Sequence, residues 1–143
     1  NRYLANADPA IAFVKGFGLK DGALASSVAH DSHNIVAVGT NNEDLVAAIN
    51  AVIAKHGGLS CSSGGKTDVL PLPVAGLMAT SSCPEVAEQY QHLDRRVKQL
   101  GSTLRAPYMT LSFMALLVIP SLKISDKGLF DGNHVEFTSL FVD

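Results

Sequence analysis

Apolar residues at helical spacing predict two amphipathic helices in the middle of the chain. One helix follows Thr40 and Glu43, which are spaced as in a capping box, and Gly57 is placed to end it. The other helix follows Ser82 and Glu85, which repeat the same spacing. In both segments apolar side chains recur every three or four residues, so each helix should bury one face.

A third apolar run, residues 107–120, predicts a helix of a different kind. Almost every position between Met109 and Ile119 is apolar, so this segment has nearly no polar face. A helix of this length spans roughly 20 Å, which is too short for a bilayer core of about 30 Å. The run therefore predicts a buried helix of the core and not a membrane span.

Shorter apolar runs separated by turn residues predict several β-strands. Asp21 and Gly22 lie between two such runs and form a dipeptide that is typical of a hairpin turn. Further strands are predicted at residues 34–39, 59–62, 67–72, 122–124 and 135–142. The whole pattern predicts the α+β class, as one compact domain of residues 1–143 with a mixed β-sheet, hairpins and about three helices.

Composition narrows the classes of protein to which the chain can belong. Of its 143 residues 47% are hydrophobic and 17% are charged, which excludes intrinsic disorder. Eleven basic residues against 13 acidic ones leave no excess to neutralise phosphates, so we expect no nucleic-acid partner. The length excludes a complete (β/α)₈ barrel, which needs about 250 residues. Either a generous core or an apolar surface covered by another domain or subunit accounts for the low charged fraction.

The cysteine content indicates the cellular compartment, and the first residues indicate how the chain relates to a longer protein. Cys61 and Cys83 are too few for a disulfide framework and indicate a reducing, cytoplasmic compartment. The chain begins at Asn1 with neither Met nor a signal-type apolar segment. We therefore expect it to be a piece of a longer protein or a processed product.

The polar stretch with the richest chemistry is the 30–34 turn, formed by His30, Asp31, Ser32, His33 and Asn34. Polar turns at strand ends are common places for binding sites in sheets flanked by helices. His30, Asp31 and His33 are of the types that ligate Zn, Mn or Fe. The same side chains could instead hydrogen-bond a polar ligand or orient a general base, or only stabilise the turn. The residues alone leave these interpretations open.

Six strings of the chain, taken in order, resemble one known family. They are GFGL at 16–19, ASSVAHDSHN at 25–34, LPVAGLM at 72–78, MTLSF at 109–113, IPSLKISDKGL at 119–129 and EFTSLF at 136–141. The family that they resemble is the C-terminal domain of bacterial adenine deaminase. The resemblance covers nearly the whole chain.

This resemblance implies a role in purine metabolism. The intact enzyme would be a metal-dependent amidohydrolase that converts adenine and water to hypoxanthine and ammonia. Its divalent metal (Mn, Fe or Zn) would be held mainly by an upstream amidohydrolase barrel with a His-x-His motif, which this chain lacks. We expect the isolated chain to be inactive. The expected partners are that barrel, adenine as substrate and further copies in a homo-oligomer, without nucleic acid or membrane.

The resemblance also suggests roles for the 30–34 turn. It implies accessory catalytic roles for His30, Asp31 and His33, and substrate-binding roles for Ser32 and Asn34, with no certain metal ligand in this chain. The alternative function is a non-catalytic interaction or oligomerisation module, which the low charge and the apolar third segment would also fit.

Overall fold

The computed structural model describes residue 1, residues 3–4 and residues 6–141 of the chain. Within these residues the chain forms three helices and seven strands. In chain order they are β1 (Ala23–Ser26), β2 (Val36–Gly39), α1 (Asn42–Ala54), β3 (Gly58–Ser63), β4 (Lys66–Pro71), α2 (Cys83–Gln99), α3 (Pro107–Phe113), β5 (Leu122–Ser125), β6 (Gly128–Asp131) and β7 (Glu136–Thr138).

The first sheet has four strands in the order β2-β1-β3-β4, and all its neighbouring strands are antiparallel. Since β2 and β3 both run antiparallel to β1, they are parallel to each other, and α1 connects them. Strand β2, which was predicted within residues 34–39, is a half-buried edge strand.

Successive side chains of β1 point to opposite faces of the sheet and belong to two different apolar layers. Ala23 and Ala25 pack with Ala48 and Val52 of α1, where small side chains let the helix approach closely. Leu24, between the two alanines, belongs to a larger cluster on the other face of the sheet. That cluster also contains side chains of β3, α2 and α3, among them Cys61, Leu93, Val97, Tyr108 and Leu111. The sheet is therefore covered on both faces.

The second sheet contains the C-terminal strands in the order β5-β6-β7, with antiparallel pairing. Phe130 of β6 contacts Phe137 of β7 edge to face, with ring centroids 5.3 Å apart. The predicted α+β class with three helices is confirmed, but the strands form two antiparallel sheets where a single mixed sheet was expected. No described helix is long and apolar enough to cross a membrane.

Two local predictions were wrong because contacts distant in sequence decide the structure. The N-cap of α1 is Asn41, whose side chain accepts from the Asp44 amide, and not Thr40. The Thr40 hydroxyl instead donates to the carbonyl oxygen of Gly22. Asp21 and Gly22 form no hairpin, since only the run after them is a strand.

The third helix is shorter than predicted. It ends at Phe113, and the next residues continue in tight turns, since the amides of Ala115 and Leu116 donate to carbonyls three residues back. The carbonyl of Met114 accepts from the Ile124 amide and so connects α3 to the second sheet. Val118 is 80% exposed, so the second half of the apolar run does not lie in the core.

Candidate functional site

The 30–34 turn connects β1 to β2, at one end of the first sheet, as the sequence predicted. Two reciprocal hydrogen bonds between Ala29 and His33 close it. The His33 amide donates to the Ala29 carbonyl at 2.7 Å, and the Ala29 amide donates to Nδ1 of the His33 ring at 3.3 Å. His33 has a φ of 51°, a left-handed conformation that is uncommon outside glycine.

These contacts determine the tautomer of the neutral His33 ring in this turn. A ring nitrogen that accepts a hydrogen bond carries no proton, so the neutral ring has its proton on Nε2. His33 therefore presents an N–H donor at Nε2, and its orientation is set by the backbone of Ala29.

His30 lies between His33 and helix α3. Its amide donates to the carbonyl of Ser112 at 3.4 Å, and its ring lies 5.1 Å from the ring of Phe113. The two histidine rings are 6.3 Å apart, centroid to centroid. The Ser112 hydroxyl is buried and has no hydrogen-bond partner among the described residues. Helix α3 therefore supports the turn from one side.

Two of the other three side chains of the turn are more exposed than His30 and His33, which are half-buried. Asp31 and Ser32 are exposed, and Asn34 is half-buried. The Asn34 amide donates to the Ser32 hydroxyl at 3.4 Å, and the Tyr3 hydroxyl donates to the Ser32 carbonyl at 2.9 Å. The five predicted site residues thus lie in one turn, but they do not converge on a single point.

The turn does not fit a metal ion. Within residues 1, 3–4 and 6–141, no group of three or more His, Cys, Asp or Glu side chains is arranged to hold one. A histidine that binds a metal through Nε2 normally donates from Nδ1 to a second partner. In His33 the Nδ1 atom faces an N–H donor instead. The metal-ligand interpretation of His30, Asp31 and His33 is therefore not supported, whereas hydrogen bonding to a polar ligand is compatible with this geometry.

Ser27 holds the loop of residues 72–78 at the end of β1, a role that the sequence did not reveal. Its buried hydroxyl donates to the carbonyl of Gly76 at 2.6 Å and accepts from the amide of Gly58 at 2.8 Å. The string at 25–34, which carries the family resemblance, contains both Ser27 and the turn. That membership was the only signal for Ser27, because a serine at a strand end has many possible partners.

A cavity lies beside the turn, and we call it the turn-side cavity. Its volume is about 330 Å³, and Asp31 and Ser32 form one wall. Residues 115–118, residues 125–127 and Phe137 form the others. The cavity therefore joins the first sheet's polar turn to the second sheet.

A separate groove between β4 and α2 is a structural contact. Asp68 accepts from Arg96 and from His92, and Arg96 also donates to the Lys66 carbonyl at 2.9 Å. Partial burial alone would raise the pKa of Asp68, but the hydrogen bonds from Arg96 and His92 outweigh it and lower the pKa. The contact between Asp68 and Arg96 connects α2 to β4, the edge strand of the first sheet.

Comparison with known proteins identifies the family of this chain. The family model described as the adenine deaminase C-terminal domain matches residues 1–136. The chain belongs to this family. The adenine deaminase of Salinibacter ruber is 57% identical to this adenine deaminase C-terminal domain, over 100% of the chain and 26% of the relative.

Two further relatives give the same picture. The adenine deaminase of Parabacteroides distasonis is 52% identical over 99% of the chain, and that of a Sulfurovum species is 55% identical over 96%. Each match covers 26% of the relative. This adenine deaminase C-terminal domain therefore spans about a quarter of the length of the curated relatives that it matches, and the resemblance seen in the sequence is confirmed.

Proposed function

We propose that the intact protein hydrolyses adenine to hypoxanthine and ammonia, and that this domain is an accessory part of that enzyme. The observation that carries the proposal is the match to proteins named adenine deaminase, at 57% and 52% identity over essentially the whole chain. In this reaction water supplies the oxygen at C6 of the purine, and the exocyclic amine leaves as ammonia. An enzyme of this kind would work in the cytoplasm, in purine metabolism, as a homo-oligomer.

We propose that the catalytic metal (Mn, Fe or Zn) is bound outside these 143 residues, by an amidohydrolase barrel of the same protein. There a divalent metal would supply the activated water. Nδ1 of His33 accepts from the Ala29 amide and does not make the second contact usual for a metal-bound histidine, which supports this division of work. The isolated domain should accordingly be inactive.

For the turn itself we propose hydrogen bonding to the substrate. His33 supplies an Nε2–H donor, which suits a purine ring nitrogen or an oxygen that gains charge during the reaction. The exposed carboxylate of Asp31 can accept from an amine, and Ser32 and Asn34 add hydroxyl and amide groups elsewhere in the same turn. His30, packed on Phe113, supports the position of His33.

A non-catalytic interaction or oligomerisation module is the second candidate function. Exposed apolar side chains favour it, since Phe13 is 87% exposed and Val118 is 80% exposed. In that case the turn would contribute nothing to the chemistry, although the domain would still be required for assembly.

The test is an assay of ammonia release from adenine by the full-length protein and by residues 1–143 alone, each supplied with Mn, Fe or Zn. We expect turnover by the full-length protein and none by the domain. A full-length protein that releases no ammonia from adenine would refute the proposed reaction. Turnover by the domain alone would refute its accessory role.

A further inference from the structure

The walls of the turn-side cavity combine apolar and charged side chains in one exposed surface. Val118 is 80% exposed and Phe137 is 52% exposed, and both line the cavity. Leu116 and Leu117 beside them are half-buried. Apolar side chains grouped in this way on a soluble surface usually mark an interface. The charged side chains at the edge of the same cavity are Asp31, Asp126 and Lys127.

Asn1 and Tyr3 lie against two walls of this cavity. The Asn1 side-chain amide donates to the carboxylate of Asp126 at 2.8 Å. The Tyr3 hydroxyl donates to the carbonyl of Ser32 at 2.9 Å. Asp126 and Ser32 belong to different sheets' turns and line the same cavity. Any polypeptide joined to Asn1 would therefore emerge beside this surface.

We propose that the turn-side cavity and its apolar edge dock on the part of the same polypeptide that precedes residue 1 in the intact protein. The matched relatives supply such a part, because the matching family model describes a C-terminal domain and the match accounts for only 26% of their length. The preceding part is the covalently attached neighbour, so it reaches the cavity at high effective concentration. The inference rests on the proposed function, since the docked part is the proposed catalytic one.

This docking would give the 30–34 turn its access to the substrate. Asp31 and Ser32 are shared by the turn and the cavity wall. A partner seated against Val118 and Phe137 therefore also lies next to the turn. The apolar edge supplies the buried centre of the interface, and Asp31, Asp126 and Lys127 supply a polar rim.

Hydroxyl-radical footprinting of the full-length protein tests the inference without removing any domain. Val118 and Phe137 should be oxidised several-fold more slowly than their exposure in the isolated structure predicts, after correction for intrinsic reactivity. Val46 and Ile53 of α1, each 54% exposed, are the internal controls and should react at the rate that their exposure predicts. Oxidation of Val118 and Phe137 at the control rate would overturn the proposal.

Two other occupants would be recognised by the same measurement, and either one overturns the proposal. Protection that disappears when the protein is diluted to monomers would assign the cavity to a second copy of the chain. Protection that requires added adenine would assign it to a small ligand.

A pair of matched variants of the full-length protein supplies the second readout. Val118→Asp should increase oxidation of Phe137 and lower kcat/KM for adenine, whereas Val46→Asp should change neither. Loss of activity without a change at Phe137 would contradict docking through this surface. Absence of adenine deamination in the unmutated protein would refute the proposed function, and the footprint of Phe137 would still decide the docking.

Discussion

Ala29 and His33 are joined by two hydrogen bonds in opposite directions, one of which reaches the imidazole ring. The Ala29 amide donates to Nδ1 of His33 at 3.3 Å, and the His33 amide donates to the Ala29 carbonyl at 2.7 Å. The backbone thus selects the tautomer of a side chain four residues away. In that tautomer Nε2 is a hydrogen-bond donor for whatever contacts the turn.

Replacement of His33 by Asn or Ala in the full-length protein distinguishes the role of the Nε2–H donor from the role of His33 in stabilising the turn. Asn tolerates a positive φ, and its side-chain oxygen can accept from Ala29, but it places no donor at Nε2. We expect both variants to lower kcat/KM for adenine about 10- to 100-fold, as the loss of a hydrogen bond contributing about 1.4–2.8 kcal/mol would. Steady-state kinetics and the melting temperature of each variant are the measurements.

The Asn variant is the informative control for folding. It should melt close to the unmutated protein, while the Ala variant should melt lower, since Ala cannot accept from Ala29 and disfavours a positive φ. An Asn variant with unchanged kcat/KM would exclude a role for Nε2 and would favour the interaction-module alternative.

Gly57 is required by the loop that packs on it. Its φ is +130°, and a Cβ at this position would lie 2.2 Å from the Cα of Gly76. We expect Gly57→Ala to lower the free energy of unfolding by about 3 kcal/mol, from backbone strain and overpacking together. Denaturant titration measures this change.

Gly128→Ala is the matched control, because Gly128 has a similar positive φ, +117°, but nothing lies within 4 Å of its added Cβ. The control substitution should lower the free energy of unfolding by about 1 kcal/mol, from backbone strain alone. Equal losses in the two variants would show that the contact between Gly57 and Gly76 is unimportant.

The contact between Asp131 and His134 should make the free energy of unfolding depend on pH. Hydrogen bonding to Asp131, and then its charge, raise the pKa of His134 above its ordinary value of 6.5, and the pKa of Asp131 is lowered in turn by His134. Because the folded-state pKa of His134 is raised, the stabilisation is fully present below pH 6.5 and is lost as pH rises through the raised value.

An NMR titration of the His134 ring checks this expectation. Asp131→Asn should return the pKa of His134 toward its ordinary value, while Asp126→Asn in the preceding turn should leave it unchanged. A His134 titration that is the same in the Asp131→Asn variant would contradict the pairing.

The two cysteines should differ sharply in reactivity. Burial raises the pKa of the Cys61 thiol to about 11, and the side chain is fully buried, whereas Cys83 is exposed. The thiolate is the reactive form, so iodoacetamide at pH 8 should label Cys83 and leave Cys61 unlabelled until the protein is denatured. Peptide mapping by mass spectrometry reads out both sites, and rapid labelling of Cys61 in the native state would contradict its position in the core.

Local patterns predicted the parts of the fold that depend on neighbouring residues. Helix α2 begins directly after its N-cap Ser82, and the carboxylate of Glu85 in its first turn accepts from the Ser82 amide. The 3.6-residue period then determines which face is buried, as Leu93 and Val97 show. For the same reason the polar turn between β1 and β2 was recognisable from residue types alone.

The apolar run after Pro107 shows why pattern alone did not suffice. Burial of an apolar side chain lowers the free energy in the same way whether the core of this domain or another part of the protein covers it. The pattern therefore cannot tell a buried helix from the turns that leave Val118 80% exposed. The hydrogen bond from Ile124 to Met114, between distant residues, marks the change of direction.

The sequence by itself determined the α+β class, two of the helices, the polar 30–34 turn and the resemblance to the adenine deaminase C-terminal domain. Only the tertiary structure decided that His33 presents Nε2 as a donor, that Ser27 holds Gly76, and that Asp31 and Phe137 share one cavity. The physical reason is the distance along the chain over which each interaction acts. Helix periodicity and turn composition act between near neighbours, whereas a tautomer or a cavity wall depends on which distant backbone groups the fold brings within hydrogen-bonding distance.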